Sequence, residues 1–191
     1  WPAHQQRREV ASCHAQARYV PRPTQDSDAL ALVREQAEGW GVDVGRVGIM
    51  GFSAGGHLAA SASVQLGEAG PDFSVLVYPV ISMVAEVTHG GSKKNLLGPD
   101  PDAELVERFS SELQVTKATP PAFLVHTSDD WVKVENSLRY YSALRAAGVS
   151  AELHVFARGG HGYGMRRPDL PVGRWPELLD AWIKNVIQAA D

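Results

Sequence analysis

Arg46-Val47-Gly48-Ile49-Met50-Gly51-Phe52-Ser53-Ala54-Gly55 is the stretch on which the fold turns. Its first half, Arg46 to Met50, is a short apolar run of the kind that forms a buried strand. From Ala54 to Leu66 the chain is rich in small residues and reads as a helix. Gly51-Phe52-Ser53-Ala54-Gly55 between them fits G-x-S-x-G, a pattern that is weak by itself. A strand ending at Met50 and a helix starting near Ala54 are the context it requires. Ser53 then sits on a sharp strand-to-helix turn, its oxygen projecting above the sheet. Glycines at 51 and 55 are expected to remove side chains that would clash there.

Working outward, the same alternation repeats. A helix is expected from Ser27, with Leu30, Val33, Ala37 and Trp40 on one face and Gly39 and Gly41 at its end. Further strands are expected at Phe73–Tyr78, Ala122–His126 and Glu152–Phe156. Helices are expected at Asp102–Phe109, at about Glu135–Ala147, and from Trp175-Pro176 onward, with Leu179, Trp182, Ile183, Val186 and Ile187 on the apolar side of the last. Residues 79–101 read as a long loop. The fold class that follows is α/β: a mostly parallel sheet with helices on both faces. Residues 1–25 are polar and lack a clear period, so they stand apart as an irregular segment before a domain over 26–191. Active sites in such sheets lie at the carboxyl ends of the strands.

Composition narrows the function. At 191 residues, 44% hydrophobic and 21% charged, the chain can bury one sizeable core. A net charge of -4 provides no basic footprint for nucleic acid or anionic lipid. The one cysteine, Cys13, can form neither an internal disulfide nor a cysteine metal site. No apolar run reaches the length of a membrane span, and no cofactor motif is present. The chain begins at Trp1 with a polar stretch unlike a secretory signal, and its compartment stays open.

A serine hydroxyl needs a base to take its proton, and that base needs a carboxylate to fix its tautomer. Seven histidines compete. His161 is favoured because it follows the last strand in Gly159-Gly160-His161-Gly162-Tyr163-Gly164, where glycines let the loop approach other backbone. His57, His126 and His154 read as structural. Ser128-Asp129-Asp130 follows the third strand. Adjacent side chains diverge, so only one of Asp129 and Asp130 can meet His161, while the other caps a turn. The Ala54 N–H, at a helix N-terminus, is the expected oxyanion donor. The order Ser, Asp, His is that of α/β-hydrolases.

From about Asp28 to Gly164 the sequence resembles bacterial α/β-hydrolase esterases of the acetyl esterase, acetylxylan esterase and feruloyl-esterase-like kind. The resemblance is carried by Arg46 through Ala60, Tyr78-Pro79-Val80-Ile81-Ser82-Met83, Thr88 through Gly98, Val134-Glu135-Asn136-Ser137-Leu138 and Gly159 through Gly164. It implies Ser53 as nucleophile and His161 as base. It implies Asp130 as the acid when counted from His126, and Asp129 when counted back from Glu135. It also implies action on short acyl esters, with a small ester or an acetylated plant polysaccharide as substrate. Members carry a Gly-rich oxyanion loop upstream of the nucleophile, and no His-Gly-Gly or Gly-Gly-Gly precedes Ser53. The fold is therefore expected to be reduced at its N-terminal side, with the 46–50 strand partnered on one edge only. Residues 1–25, or a second copy in a homodimer, would cover the other edge. Two other functions fit the same residues: a catalytically weak hydrolase-fold binding protein, and a peptidase of the prolyl-oligopeptidase kind.

Overall fold

The computed structural model describes residues 24–166 and 169–187. Four strands form one parallel sheet: β1 (Gly48–Phe52), β2 (Phe73–Val77), β3 (Ala122–Thr127) and β4 (Ala151–Phe156), in that spatial order. Helix α1 (Thr24–Trp40) precedes β1 and α2 (Ala54–Gln65) follows it. Two short helices, α3 (Gly90–Leu97) and α4 (Ala103–Arg108), lie between β2 and β3. Helix α5 (Glu135–Ala146) links β3 to β4, and α6 (Trp175–Trp182) ends the fold, continued by a wider turn over Ile183–Ile187.

Alternation along the strands sorts the core into two layers. Val75 and Val77 of β2 and Phe123 and Val125 of β3 pack under Trp175, Leu179 and Trp182 on one face. Leu76, Ala122 and Leu124 point the other way, onto Ala59 and Ala60 of α2 and Tyr140 and Leu144 of α5. The central strands thus read as mostly apolar runs, broken only by the buried Ser74, His126 and Thr127, because both faces are covered. A third cluster, Val80, Met83, Phe109 and Val132 with Leu96 and Leu97, roots the 79–110 segment to the sheet's carboxyl end.

The elements follow the sequence reading with instructive departures. Residues 79–101 are not all loop, since α3 lies inside them, capped by the His89 side chain accepting from the Ser92 N–H and stopped at Gly98 with φ 88°. On α1, Leu30 and Ala37 are buried as expected, but Trp40, the last residue of the helix, is 59% exposed. Among the described residues β1 pairs only with β2. Met50 and Phe52, in register with Val75 and Val77 on the Trp175 face, are 47% and 37% exposed. The expectation that residues 1–25 cover that edge falls on residues outside those described, apart from Thr24 and Gln25, which open α1.

Candidate active site

Ser53 occupies the turn between β1 and α2 with φ 54° and ψ -120°. A non-glycine residue in this region costs about 1–3 kcal/mol and persists only when its surroundings hold it. They do: the Ser53 N–H donates to Val77 O at 3.1 Å, and Ser53 O accepts from the N–H groups of Gly56, His57 and Val80 at 3.0, 3.3 and 3.0 Å. The turn is thus pinned to β2 and to the first turn of α2, and the side chain is left to project from the sheet's carboxyl end.

Glycine is required at this turn, but not at both expected positions. A Cβ on Gly51 would collide with the backbone of Gly55 and Gly56, and one on Gly56 would stand 2.6 Å from Pro79 Cβ. A Cβ on Gly55 would meet nothing within 4 Å. The close approach expected of Gly55 therefore belongs to Gly56, which faces Pro79 while Gly55 faces outward.

His161 reaches Ser53 from the loop after β4. Thr127 Oγ1 donates to Gly160 O at 2.9 Å, and the Gly159 and Gly160 N–H groups donate to Asp129 at 3.3 and 2.8 Å. The glycines act differently within this loop. A Cβ on Gly159 would press 2.6 Å from Thr127 Cγ2, whereas Gly160, Gly162 and Gly164 take φ of 62°, 73° and 51°. The result brings His161 Nε2 to 2.8 Å from Ser53 Oγ. Its Nδ1–H donates to Asp130, 2.9 Å from both carboxylate oxygens. That bond leaves Nε2 free to accept the serine proton.

The two aspartates separate cleanly. Asp130 turns inward, its side chain fully enclosed, while Asp129 caps the glycine loop. Burial alone would raise Asp130. Hydrogen bonds from His126, His161 and the Val132 N–H outweigh it and hold the carboxyl below its ordinary range. The Gly160 N–H holds Asp129 low as well. The buried His126 is within 3.4 Å of Asp130 Oδ2, with Nδ1 2.8 Å from Ser137 Oγ and Nε2 2.9 Å from Val132 O. His154 meets Glu152 on β4 at 2.6 Å. His57 is buried on α2, with Nε2 2.8 Å from Phe109 O, and burial pushes its imidazole down.

Two rings the sequence reading passed over flank His161. Tyr78, at the end of β2 with φ 40°, lies edge-on at 4.8 Å between centroids, and Trp131 lies on another side at 4.3 Å. Tyr78 is buried, and burial pushes its hydroxyl up despite a hydrogen bond to the Gly164 backbone. An aromatic directly after a strand end, and another directly after the candidate acid, were the available signals. Ala54 opens α2, so its N–H is among those the helix does not use internally. A cavity of about 260 Å³ adjoins it, lined by Ala54, His57, Met83, Ser92, Asn95 and Leu96. The 84–100 segment thus borders the site through Ser92, Asn95 and Leu96. Among the described residues, no cluster of three His, Cys, Asp or Glu could hold a metal ion.

A parallel sheet with a strained serine at a strand-to-helix turn, met by a histidine and an aspartate from later strand ends, defines an α/β-hydrolase. The prolyl oligopeptidase family model matches residues 24–190, and the chain belongs to that family. An acetylxylan esterase of Xylanibacter ruminicola is 42% identical over 168 residues, covering 81% of this chain and 34% of that protein. Endo-1,4-beta-xylanase B of Butyrivibrio fibrisolvens is 37% identical over 155 residues, covering 74% of this chain and 24% of that protein. The chain therefore spans about a third and a quarter of these relatives' lengths. The crystal structure of an acetyl ester-xyloside bifunctional hydrolase from Caldicellulosiruptor lactoaceticus superposes with a TM-score of 0.83 at 41% identity, covering 89% of this chain and 67% of that one.

Proposed function

We propose that the chain is a serine esterase that removes short acyl groups, acetyl in the first instance, from a carbohydrate such as plant polysaccharide. The observation that carries this reading is the unbroken hydrogen-bond path from Ser53 through His161 to Asp130. Ser53 Oγ attacks the ester carbonyl as His161 Nε2 takes its proton. Asp130 stabilises the imidazolium, and the Ala54 N–H meets the oxyanion. Collapse leaves an acyl-Ser53 ester and returns the proton to the departing alcohol. Water, activated by the same histidine, then releases the acid. Support for acetyl and xylan comes from the names carried by the matching relatives.

The test is turnover of acetyl esters together with fluorophosphonate labelling. The wild type should cleave the esters and be labelled, and Ser53→Ala should do neither. An unlabelled, inactive wild type would support instead the reading as a hydrolase-fold binding protein. The family match also covers peptidases, so a prolyl p-nitroanilide belongs in the same assay. Faster turnover of that amide than of acetyl esters would replace the esterase reading.

A further inference from the structure

Proton return fixes where the alcohol half of the substrate lies. His161 Nε2 must hand its proton to the departing oxygen, so the alcohol sits against the open side of the imidazole. Of the two rings that flank His161, Tyr78 is 5% exposed and Trp131 is 61% exposed. Trp131 is therefore the ring that a departing alcohol can reach.

Its position is held. On one side of it in the chain, Asp130 is bound to His161, and on the other the Val132 N–H donates back to Asp130 Oδ1 at 2.7 Å. Lys133 Nζ donates to Glu86 O at 2.6 Å, tying the following residue to the segment that leads to α3. The His89 ring braces the indole at 4.7 Å between centroids, and His89 is itself fixed as the cap of α3. An exposed indole on so constrained a turn costs little to order around a ligand.

We propose, resting on the esterase reading above, that Trp131, braced by His89, is the platform on which the pyranose ring of the sugar alcohol stacks during acyl transfer. A pyranose presents a flat face of C–H groups edged by hydroxyls. The C–H face meets the negative face of the indole while the hydroxyls stay in water. An alkyl alcohol would need an enclosed trough, and an indole 61% exposed provides none. In the step served, the ester C–O bond breaks, the acyl carbon stays on Ser53 Oγ, and the sugar oxygen leaves carrying the proton from His161.

The test compares wild type, Trp131→Phe and Trp131→Ala on an acetylated xylo-oligosaccharide and on ethyl acetate. In Trp131→Ala the ratio of kcat/KM for the sugar ester to that for ethyl acetate should fall about tenfold, the scale of one aromatic contact. The loss should appear chiefly as a higher KM for the sugar ester, and Trp131→Phe should keep most of the selectivity. An unchanged ratio would overturn the proposal even if both rates dropped, because that is what an indole serving only to seat His161 would give. Failure of the wild type on both esters would count against the esterase reading, and the platform is then decided by binding. Saturation-transfer NMR with xylotriose should give signal from Ser53→Ala and lose it in Ser53→Ala/Trp131→Ala. Equal signal from the two, or none from either, would overturn the platform.

Discussion

His161 Nδ1 lies 2.9 Å from both carboxylate oxygens of Asp130, whereas Asp129, one residue earlier, accepts the Gly159 and Gly160 N–H groups instead. Neighbouring carboxylates on one turn thus have separate tasks. Asp130 orients the imidazole, and Asp129 holds the loop that carries it.

Kinetics should separate the pair. Asp130→Asn should lower kcat on an acetyl ester by about a thousandfold or more, and Asp129→Asn by less than about tenfold, since only the former removes the charge facing the imidazolium. The reverse ranking would show that the acid had been assigned one residue too late.

Which parts of this arrangement the sequence discloses depends on whether the cause is local. The strands β2 and β3 are legible because burial on both faces gives them the apolar runs Val75-Leu76-Val77 and Ala122-Phe123-Leu124-Val125. Ser53 and His161 are legible because glycine spacing and the neighbouring strand ends are written in the chain. Asp130 against Asp129 is not, because adjacent side chains are distinguished only by where the turn aims them. Helix α3 is hidden by Gly90-Gly91, which argue against a helix, while its cap is an unusual one, the His89 imidazole. Gly56 takes the task expected of Gly55 because the obstacle, Pro79, comes from the segment that follows β2. Trp131 gains its meaning only when β3 and β4 bring it to His161, 30 positions away in the chain.

Acidification should weaken the fold through His57 and Asp129, in separate windows. Burial lowers the His57 pKa, so the unfolded chain binds a proton below its ordinary 6.5 while the folded chain does not. Stability is complete above that value and declines as pH falls below it. In His57→Gln, whose amide can still donate to Phe109 O, the melting temperature should fall less steeply between neutral pH and pH 5 than in wild type. The Asp129 carboxyl, lowered by the Gly160 N–H, adds stability above its ordinary 3.8 and loses it as pH falls further. Asp129→Asn should therefore match the wild type's slope above pH 5 and flatten only in the more acidic range. Identical slopes in all three proteins would remove both assignments.

His126 should prove to be a positioning residue for Asp130. It is fully buried, held by Ser137 and Val132, and stands 3.4 Å from the carboxylate that faces His161. His126→Ala should destabilise the fold by about 2–3 kcal/mol, as a buried side chain that leaves polar partners unmet. A purely structural role would change only stability. A positioning role should also lower kcat well below the melting temperature with little change in KM, and His126→Gln should recover part of both. Full kcat in a folded His126→Ala would refute the positioning role.

The three glycines around Ser53 provide the sharpest test of the turn itself. Gly51→Ala forces a methyl into the backbone of Gly55 and Gly56, which cannot yield without opening the first turn of α2. Gly56→Ala drives its methyl against Pro79, whose ring and Cα are fixed at the end of β2. Each should cost about 2–3 kcal/mol, the scale of overpacking at a closed site. Because the Ser53 backbone is bonded to Gly56 N and Val80 N, each should also reduce fluorophosphonate labelling in the protein that still folds. Gly55→Ala meets no neighbour, and in a helix it limits the freedom of the unfolded chain. Its unfolding free energy from urea titration should equal or exceed that of the wild type by up to about 1 kcal/mol. The order of stability should thus be Gly55→Ala first, with Gly51→Ala and Gly56→Ala well below it. Equal loss in Gly55→Ala and Gly56→Ala would mean that the chain turns at Ser53 along a different path.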